Sequence, residues 1–196
     1  MTKNSLSSVL KNHSLDKWFV PLILIIAGFV CFDFFSHNFS WVSFHEREFG
    51  RAADFILGKG LNHLGPEMSG GGNLPGPFLT LLFAIPVWIF KSPQAVHVMI
   101  TLTLLTTAGL AFFLTKRHLG RNVAYLTLAF TLTNLNYVFF SFAGWHATFV
   151  CIINILVLYF YDRFDAHKNN LYLFLIGITL GIGIQVHALL LILFPA

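Results

Sequence analysis

An otherwise apolar chain is interrupted by one polar stretch, Ser43-Phe-His-Glu-Arg-Glu-Phe-Gly-Arg-Ala-Ala-Asp-Phe-Ile-Leu-Gly-Lys-Gly60. A helix over this stretch, at about 100° per residue, would place Glu46 on the apolar face with Leu57. Glu48 and Arg51 would point the opposite way. A lone carboxylate on the apolar face of a helix at a membrane surface is costly unless it has a partner or a task. Glu46 is therefore the first candidate for chemistry.

The composition of the whole chain is that of an integral membrane protein. Of its 196 residues, 56% are hydrophobic and 10% are charged, whereas an ordinary soluble domain is about 25% charged. The net charge of +4 comes largely from Lys and Arg that flank apolar runs, a pattern typical of membrane orientation. No basic stripe with interleaved aromatic residues indicates nucleic-acid binding.

Five apolar runs are long enough to cross about 30 Å of hydrocarbon as helices. They comprise residues 18–35, 95–115, 122–142, 148–161 and 171–194. A sixth run, 75–90, is short and contains Pro86. If it crossed, the basic turn 116–121 would lie opposite the lysines of the N-terminus. If it does not cross, all these basic groups share the cytoplasmic side, as the positive-inside rule prefers.

The sequence therefore predicts an all-α fold, a polytopic membrane helical bundle. It has five transmembrane helices, an external amphipathic helix and a half-buried juxtamembrane helix over 75–90. Residues 1–17 form the cytoplasmic N-terminus, and residues 18–196 form a single transmembrane domain with an external loop over 38–74. The predicted location is the inner (cytoplasmic) membrane. Because the chain stops at Ala196 without a polar tail, we expect further spans to be missing.

Two interpretations of Glu46 stay open. Ser43 and Glu46 have the spacing of a capping box, in which the carboxylate serves only its own helix. Alternatively, Glu46 is held at the membrane surface as a general base or a metal ligand. His45 beside it, and Asp33 near the outer end of the first span, are further catalytic candidates.

A glycine- and proline-rich segment, Gly70-Gly-Gly-Asn-Leu-Pro-Gly-Pro77, follows the polar stretch. Gly71 and Gly72 permit close backbone approach, and Pro75 and Pro77 restrict the backbone before the next helix. The segment is either a flexible loop before a helix or a cradle for an anionic headgroup, since free N–H groups at a helix start favour phosphate.

Histidines form a third set of polar residues on the outer half of this topology. They are His37, His45, His63, His97, His146 and His187. No His-x-x-x-His or Cys-x-x-Cys spacing pre-assembles a metal site, so no metal site is predicted, although a divalent cation (Mg²⁺ or Mn²⁺) stays open as a cofactor. Gln185 and His187 are expected inside the last span and facing the bundle, after glycines that permit close helix packing.

The order of these pieces resembles the N-terminal half of the C-type (GT-C) glycosyltransferases, which include the protein O-mannosyltransferases and the lipid A aminoarabinose transferase. In that family a first span leads to an external loop that opens with Asp-Glu-x-x-Tyr-x-x-x-Ala. A proline-rich approach to a juxtamembrane helix follows. Here His45-Glu-Arg-Glu-Phe-Gly-Arg-Ala-Ala53 occupies the position of the family's loop opening. Leu74-Pro-Gly-Pro77 occupies the position of its proline-rich approach. The family's first acidic residue is His45 in this chain, and the second external loop reads Ala143-Gly-Trp-His-Ala147.

The resemblance implies transfer of a sugar from a polyprenyl-phosphate donor to a cell-envelope glycan or lipid acceptor on the outer face. Glu46 would deprotonate the acceptor hydroxyl, and an active enzyme would need the missing spans. Groups that would hold the departing lipid phosphate are Arg47, Arg51, His146, Gln185 and His187. A non-catalytic membrane subunit that binds lipid or a partner stays open as an alternative, as does, less strongly, a transporter or metal-handling protein.

Overall fold

The computed structural model of the chain describes residues 18–29, 43–67, 71–92, 95–134, 148–187 and 190, without the side chains of 43–46 and 97. The helices in these ranges are α1 (Trp18–Phe29), α2 (Ser43–Ile56), α3 (Phe78–Phe90), α4 (Ala95–Leu119), α5 (Arg121–Thr133), α6 (Thr148–His167) and α7 (Asn170–Val186). Two short strands, β1 (Leu64–Glu67) and β2 (Asn73–Pro75), pair antiparallel with Leu64 opposite Pro75 and Glu67 opposite Asn73. The fold is helical, as predicted, apart from this hairpin, which was not predicted.

One helix in the described part of the chain is long and apolar enough to cross a membrane. It is Val98–Leu119 within α4, 22 residues with a mean hydropathy of 1.9, which corresponds to about 33 Å of helix. α1, α3 and α7 are apolar but shorter. The boundaries also differ from prediction. α5 ends at Thr133 because Asn134 takes extended backbone angles, and α6 continues past residue 161 to His167.

α1 runs antiparallel to α4. A Cβ atom on Gly28 would lie 2.9 Å from Leu105 Cδ1, and one on Gly109 would lie 3.5 Å from Leu24 Cδ1. The end of α1 therefore lies beside the middle of α4, and an earlier residue of α1 lies beside a later residue of α4. α5 packs on the second half of α4. The buried core of these three helices consists of Val20, Ala108, Phe112, Ala124 and Leu128.

A second core joins α2, α3, the beginnings of α4 and α6, and the end of α7. Its buried members are Ala52, Leu79, Phe83, Ala84, Val96, Ile100, Phe149, Ile153, Val186 and Leu190. We call this part of the bundle, with β1, β2 and Gln185, the hairpin end. α3 begins beside Gln185 and carries Phe83, whose ring centroid lies 6.3 Å from that of Phe149 at the start of α6. Since α4 also starts here, α3 does not run the length of the bundle.

The opposite end of the bundle carries the α4–α5 and α6–α7 turns. Asp162 Oδ1 lies 3.2 Å from Arg117 Nε and 2.8 Å from His118 Nε2, so the C-terminal ends of α4 and α6 are tied together. We call this part, with Lys116, Arg117, Arg121, Arg163 and Lys168, the basic end. The basic turn 116–121 and the turn with Lys168 therefore share one end, opposite the polar stretch.

The outward surfaces of the helices are strongly apolar. Side chains more than half exposed include Trp18, Leu22, Phe29, Trp88, Phe90, Phe113, Leu126, Phe130, Leu158 and Phe174. Soluble monomers seldom expose contiguous apolar patches larger than a few hundred Å². Three threonines of α4, Thr103, Thr106 and Thr107, donate to carbonyls of their own helix; for example, Thr106 Oγ1 donates to Leu102 O at 2.7 Å. Such self-contained hydrogen bonding suits a surface that faces no water.

Candidate functional site

The buried face of α2 differs from the predicted one. Glu48 and Ala52 are buried, whereas Leu57 is 71% exposed. The prediction that Glu48 and Arg51 point outward and Leu57 inward is therefore wrong. Leu57 lies beyond the end of α2, in a turn where Gly58 has φ +76°, so helical periodicity no longer sets its direction. Glu48 can point inward because Arg51 accompanies it.

Arg51 ties α2 to the hairpin. Its Nη1 lies 3.0 Å from Glu48 Oε1 and donates to Gly65 O at 2.8 Å. The Glu48 side chain is 4% exposed and that of Arg51 15%. Asn73 Nδ2 also donates to Gly65 O, at 3.0 Å. A carboxylate, a guanidinium and a strand carbonyl thus form one polar cluster between helix and hairpin.

One oxygen of the Glu48 carboxyl is left over in this cluster. Oε2 is buried and has no hydrogen-bond partner within the described residues. Burial raises the pKa of Glu48 above 4.5, and the positive charge of Arg51 only partly opposes this effect. A buried carboxyl with a raised pKa and a spare oxygen is a candidate for proton transfer.

Glu48 should make the stability of the protein depend on pH. Because its pKa is raised in the folded chain, the folded state holds this proton more tightly, so stability should fall as pH rises from 4.5 through the raised value. Thermal unfolding in detergent should show a steeper decline for the unmodified protein than for Glu48→Gln, which cannot titrate. Equal declines in stability for the two proteins would show that the pKa of Glu48 is not raised by folding.

The hairpin packs closely on the end of α7. A Cβ on Gly65 would lie 3.2 Å from Gln185 O, and one on Gly76 would lie 2.9 Å from Gln185 Cγ. Gly76 N also donates to His63 O at 3.0 Å. The predicted loop and the predicted polar end of the last helix are therefore in contact, with Gln185 as the α7 residue that the hairpin covers.

Gly76→Ala should destabilise the protein more than Gly71→Ala. Both glycines have positive φ, +88° and +89°, so each substitution costs about 1–2 kcal/mol of backbone strain. Only the Cβ at 76 would also overlap the Gln185 side chain, which must leave its rotamer at a cost of about 1 kcal/mol. Denaturant unfolding of the two variants measures the difference, and Gln185→Ala added to Gly76→Ala should remove it. A Gly76→Ala variant no less stable than Gly71→Ala would contradict this packing.

An open cavity of about 260 Å³ adjoins the cluster. It lies between the end of α2 and the segment that follows, and is lined by Arg51, Asp54, Lys59, Gly60, Leu61 and Asn62. Lys59 Nζ pairs with Asp54 Oδ1 at 2.8 Å. The lining contains positive and negative charges and the Asn62 amide, which suit a hydroxylated or charged ligand.

The remaining predicted residues fall in different places. Arg47 pairs with Glu67 of β1 at an exposed position. Gly71 and Gly72 lie in the hairpin turn with positive φ, +89° and +80°. Pro77 is the residue before α3, where it provides no side-chain cap, and Pro75 ends β2.

His187 is not inside a helix, contrary to prediction. α7 ends at Val186, because His187 takes an extended backbone while its N–H still bonds Gly183 O at 2.9 Å. Asp33 and His146 lie outside the described residues, as do the side chains of His45 and Glu46. In the part that the structure describes, no three His, Cys, Asp or Glu side chains come together to hold a metal ion.

Glu48 is the residue that the sequence analysis missed. Its spacing of three from Arg51 was the available signal, because residues three apart on a helix are neighbours that can form an ion pair. Helical periodicity places this pair on the solvated face, because it cannot show that the Gly65 carbonyl accepts a hydrogen bond from the Arg51 guanidinium.

Comparisons with known proteins do not add to this site. No family model matches the chain, and neither a curated protein nor a solved structure does. The chemistry of the hairpin end therefore has to be inferred from its own side chains.

Proposed function

We propose that this chain is a GT-C-like membrane glycosyltransferase whose hairpin end receives a polyprenyl-phosphate sugar. The observation that carries the proposal is the buried Glu48 carboxyl, which keeps one oxygen unpartnered within the described residues at the polar end of an apolar bundle. A carboxyl of this kind can take a proton from an acceptor hydroxyl. Glu46, on the first turns of the same helix, is the acid that the sequence pattern favours.

The proposed membrane arrangement has five spans, which contain α1, α4, α5, α6 and α7. The N-terminus and the basic end face the cytoplasm of an inner membrane, and the hairpin end faces out. Two observations support this arrangement: the apolar outward surfaces of the helices, and the clustering of Lys and Arg in the two turns of one end.

Cysteine labelling should show the two ends on opposite sides. In a background with Cys31 and Cys151 replaced, a cysteine introduced by His118→Cys should react with a membrane-impermeant maleimide only after permeabilisation. Lys59→Cys is the matched control and should react in intact cells. The replaced side chains are 57% and 64% exposed, so accessibility within the fold does not separate them. Efficient labelling at 118 in intact cells would overturn the orientation.

The proposed reaction is a direct displacement. The carboxylate on α2 removes the proton of the acceptor hydroxyl, the oxygen bonds to the anomeric carbon, and the bond from that carbon to the phosphate oxygen breaks. Polyprenyl phosphate leaves with the electron pair. The acceptor is an envelope glycan or lipid. Arg51 and the cavity beside it lie at the same end. They offer positive charge to the phosphate and hydrogen-bond partners to the hydroxyl groups of the sugar.

Donor binding and transfer test this proposal separately. A polyprenyl-phosphate sugar with a photoreactive tail should crosslink to the protein, and an excess of unlabelled donor should prevent it. In membranes from the cells that produce the chain, labelled sugar should then pass to the envelope fraction. Crosslinking without transfer would contradict the proposed enzymatic activity and favour a lipid-binding subunit. Absence of crosslinking would overturn both.

A further inference from the structure

The cavity beside the end of α2 has the size of a small polar ligand. Its volume is about 260 Å³, below the range of about 300–1,000 Å³ for pockets that enclose drug-sized molecules. Leu61 provides an apolar side chain to the lining, and Gly60 lines it with backbone alone. A hydrogen bond from Lys59 N to Asp54 O, at 3.0 Å, holds the backbone of this turn. One six-membered sugar ring therefore suits the cavity better than a chain of rings.

Two polar side chains of the lining keep hydrogen-bonding capacity that the protein does not use. Asp54 Oδ1 accepts from Lys59 Nζ at 2.8 Å, and Asn62 Oδ1 accepts from Leu64 N at 2.9 Å. Among the residues that the structure describes, none bonds to Asp54 Oδ2 or to Asn62 Nδ2. The first atom is an acceptor and the second a donor. Together they match two adjacent hydroxyl groups, one of which donates while the other accepts.

The charges of the lining favour a neutral ring. Lys59 Nζ lies 2.8 Å from Asp54 Oδ1, so the two charges balance each other within the cavity. An amino sugar would bring a second cation close to Lys59, and a uronic acid would bring a second anion close to Asp54. Either sugar leaves one charge unmatched, whereas a hydroxyl group adds no charge.

We infer that this cavity binds one neutral pyranose with two adjacent free hydroxyl groups. Asp54 accepts a hydrogen bond from one hydroxyl, and Asn62 donates to the next. The inference rests on the proposed glycosyl transfer and names the class of sugar that the hairpin end receives, an uncharged ring on the donor or on the acceptor. Binding of the ring needs neither the donor lipid nor turnover, so it can be measured separately.

Binding of simple glycosides tests the cavity. The full chain is placed in phosphatidylcholine nanodiscs, which contain no sugar, and saturation-transfer NMR measures the dissociation constants of methyl glycosides. Glucose, galactose and mannose provide the neutral rings, and glucosamine and glucuronic acid the charged ones. At least one neutral glycoside should bind about tenfold more tightly than both charged ones. No binding of any neutral glycoside, or equal binding of neutral and charged ones, would overturn the inference.

Substitutions in the ion pair should change the selectivity in opposite directions. Asp54→Asn leaves Lys59 unmatched, so the glucuronide should gain affinity while the neutral glycoside loses about tenfold, because a hydrogen bond to a charged group is lost. Lys59→Gln leaves Asp54 unmatched, so the glucosaminide should gain affinity instead. Asn62→Asp keeps the acceptor for Leu64 N but removes the donor, and should weaken the neutral glycoside about fivefold.

Asp165→Asn is the matched control for Asp54→Asn. Asp165 pairs with Lys168 through the same chemical groups, but at the basic end, so its substitution should leave the dissociation constants unchanged. A change equal to that of Asp54→Asn would contradict binding in the cavity. If Asp54→Asn fails to fold, Lys59→Gln carries the same test, and no gain in glucosaminide affinity would then contradict it.

Donor crosslinking separates this inference from the proposed transfer. A neutral glycoside that prevents crosslinking occupies the place of the donor's ring, and one that lowers transfer alone occupies that of the acceptor's ring. Donor crosslinking without binding of any glycoside would overturn only the cavity as the sugar site. Glycoside binding without donor crosslinking would support the cavity and overturn the proposed transfer.

Discussion

Arg51→Met is expected to lower the free energy of unfolding by about 3–5 kcal/mol, the usual cost of removing one partner from a buried ion pair. Glu48, which is 3% exposed, would lose its counter-ion, and Gly65 O would lose its bond from Arg51. Because Arg51 is the buried link between α2 and β1, the damage should centre there. Hydrogen exchange of residues 47–67 should therefore accelerate more than that of α5.

Arg47→Met is the matched control for this prediction. Arg47 also pairs with an acid, Glu67, but the two side chains are 58% and 40% exposed, and an exposed pair contributes about 0–1 kcal/mol. A double substitution of Arg51→Met with Glu48→Gln should recover part of the loss, because no buried charge is then left alone. Similar losses at 47 and 51 would mean that Arg51 does not anchor the hairpin.

Glu46→Gln is expected to reduce sugar transfer by about 10²–10⁴-fold, the contribution of a positioned general base. The amide keeps the size of the side chain but cannot accept the proton of the acceptor hydroxyl. Transfer of labelled sugar in membranes from the producing cells measures the effect, with the amount of folded protein determined by size-exclusion chromatography in detergent.

Asp165→Asn removes an acid at the other end of the bundle and serves as the control, with transfer expected to stay unchanged. Near-normal transfer by Glu46→Gln would leave Glu46 as a helix cap, as its spacing from Ser43 allows. If Glu48→Gln then abolished transfer in a folded protein, the acid that the structure adds would be the base.

Much of the helical plan could be predicted from the sequence. Apolar runs need no partner information to become helices, because a helix satisfies its own backbone groups. α4 begins at Ala95 as predicted, and α3 begins after Pro77, where the proline-rich segment ends. The polar stretch also forms a helix from Ser43. These features depend on local composition and spacing, which can be read directly from the amino-acid sequence.

The sequence by itself thus determined the helical class, most helix starts and the grouping of basic residues in two turns. Tertiary structure alone decided that Glu48 points inward and that β1 and β2 pair, and it placed Gln185 under Gly76. The physical reason is that periodicity describes one helix, whereas a buried charge depends on what faces it. The carboxyl of Glu48 and the carbonyl of Gly65 come from different elements, and only the fold brings them to the same guanidinium.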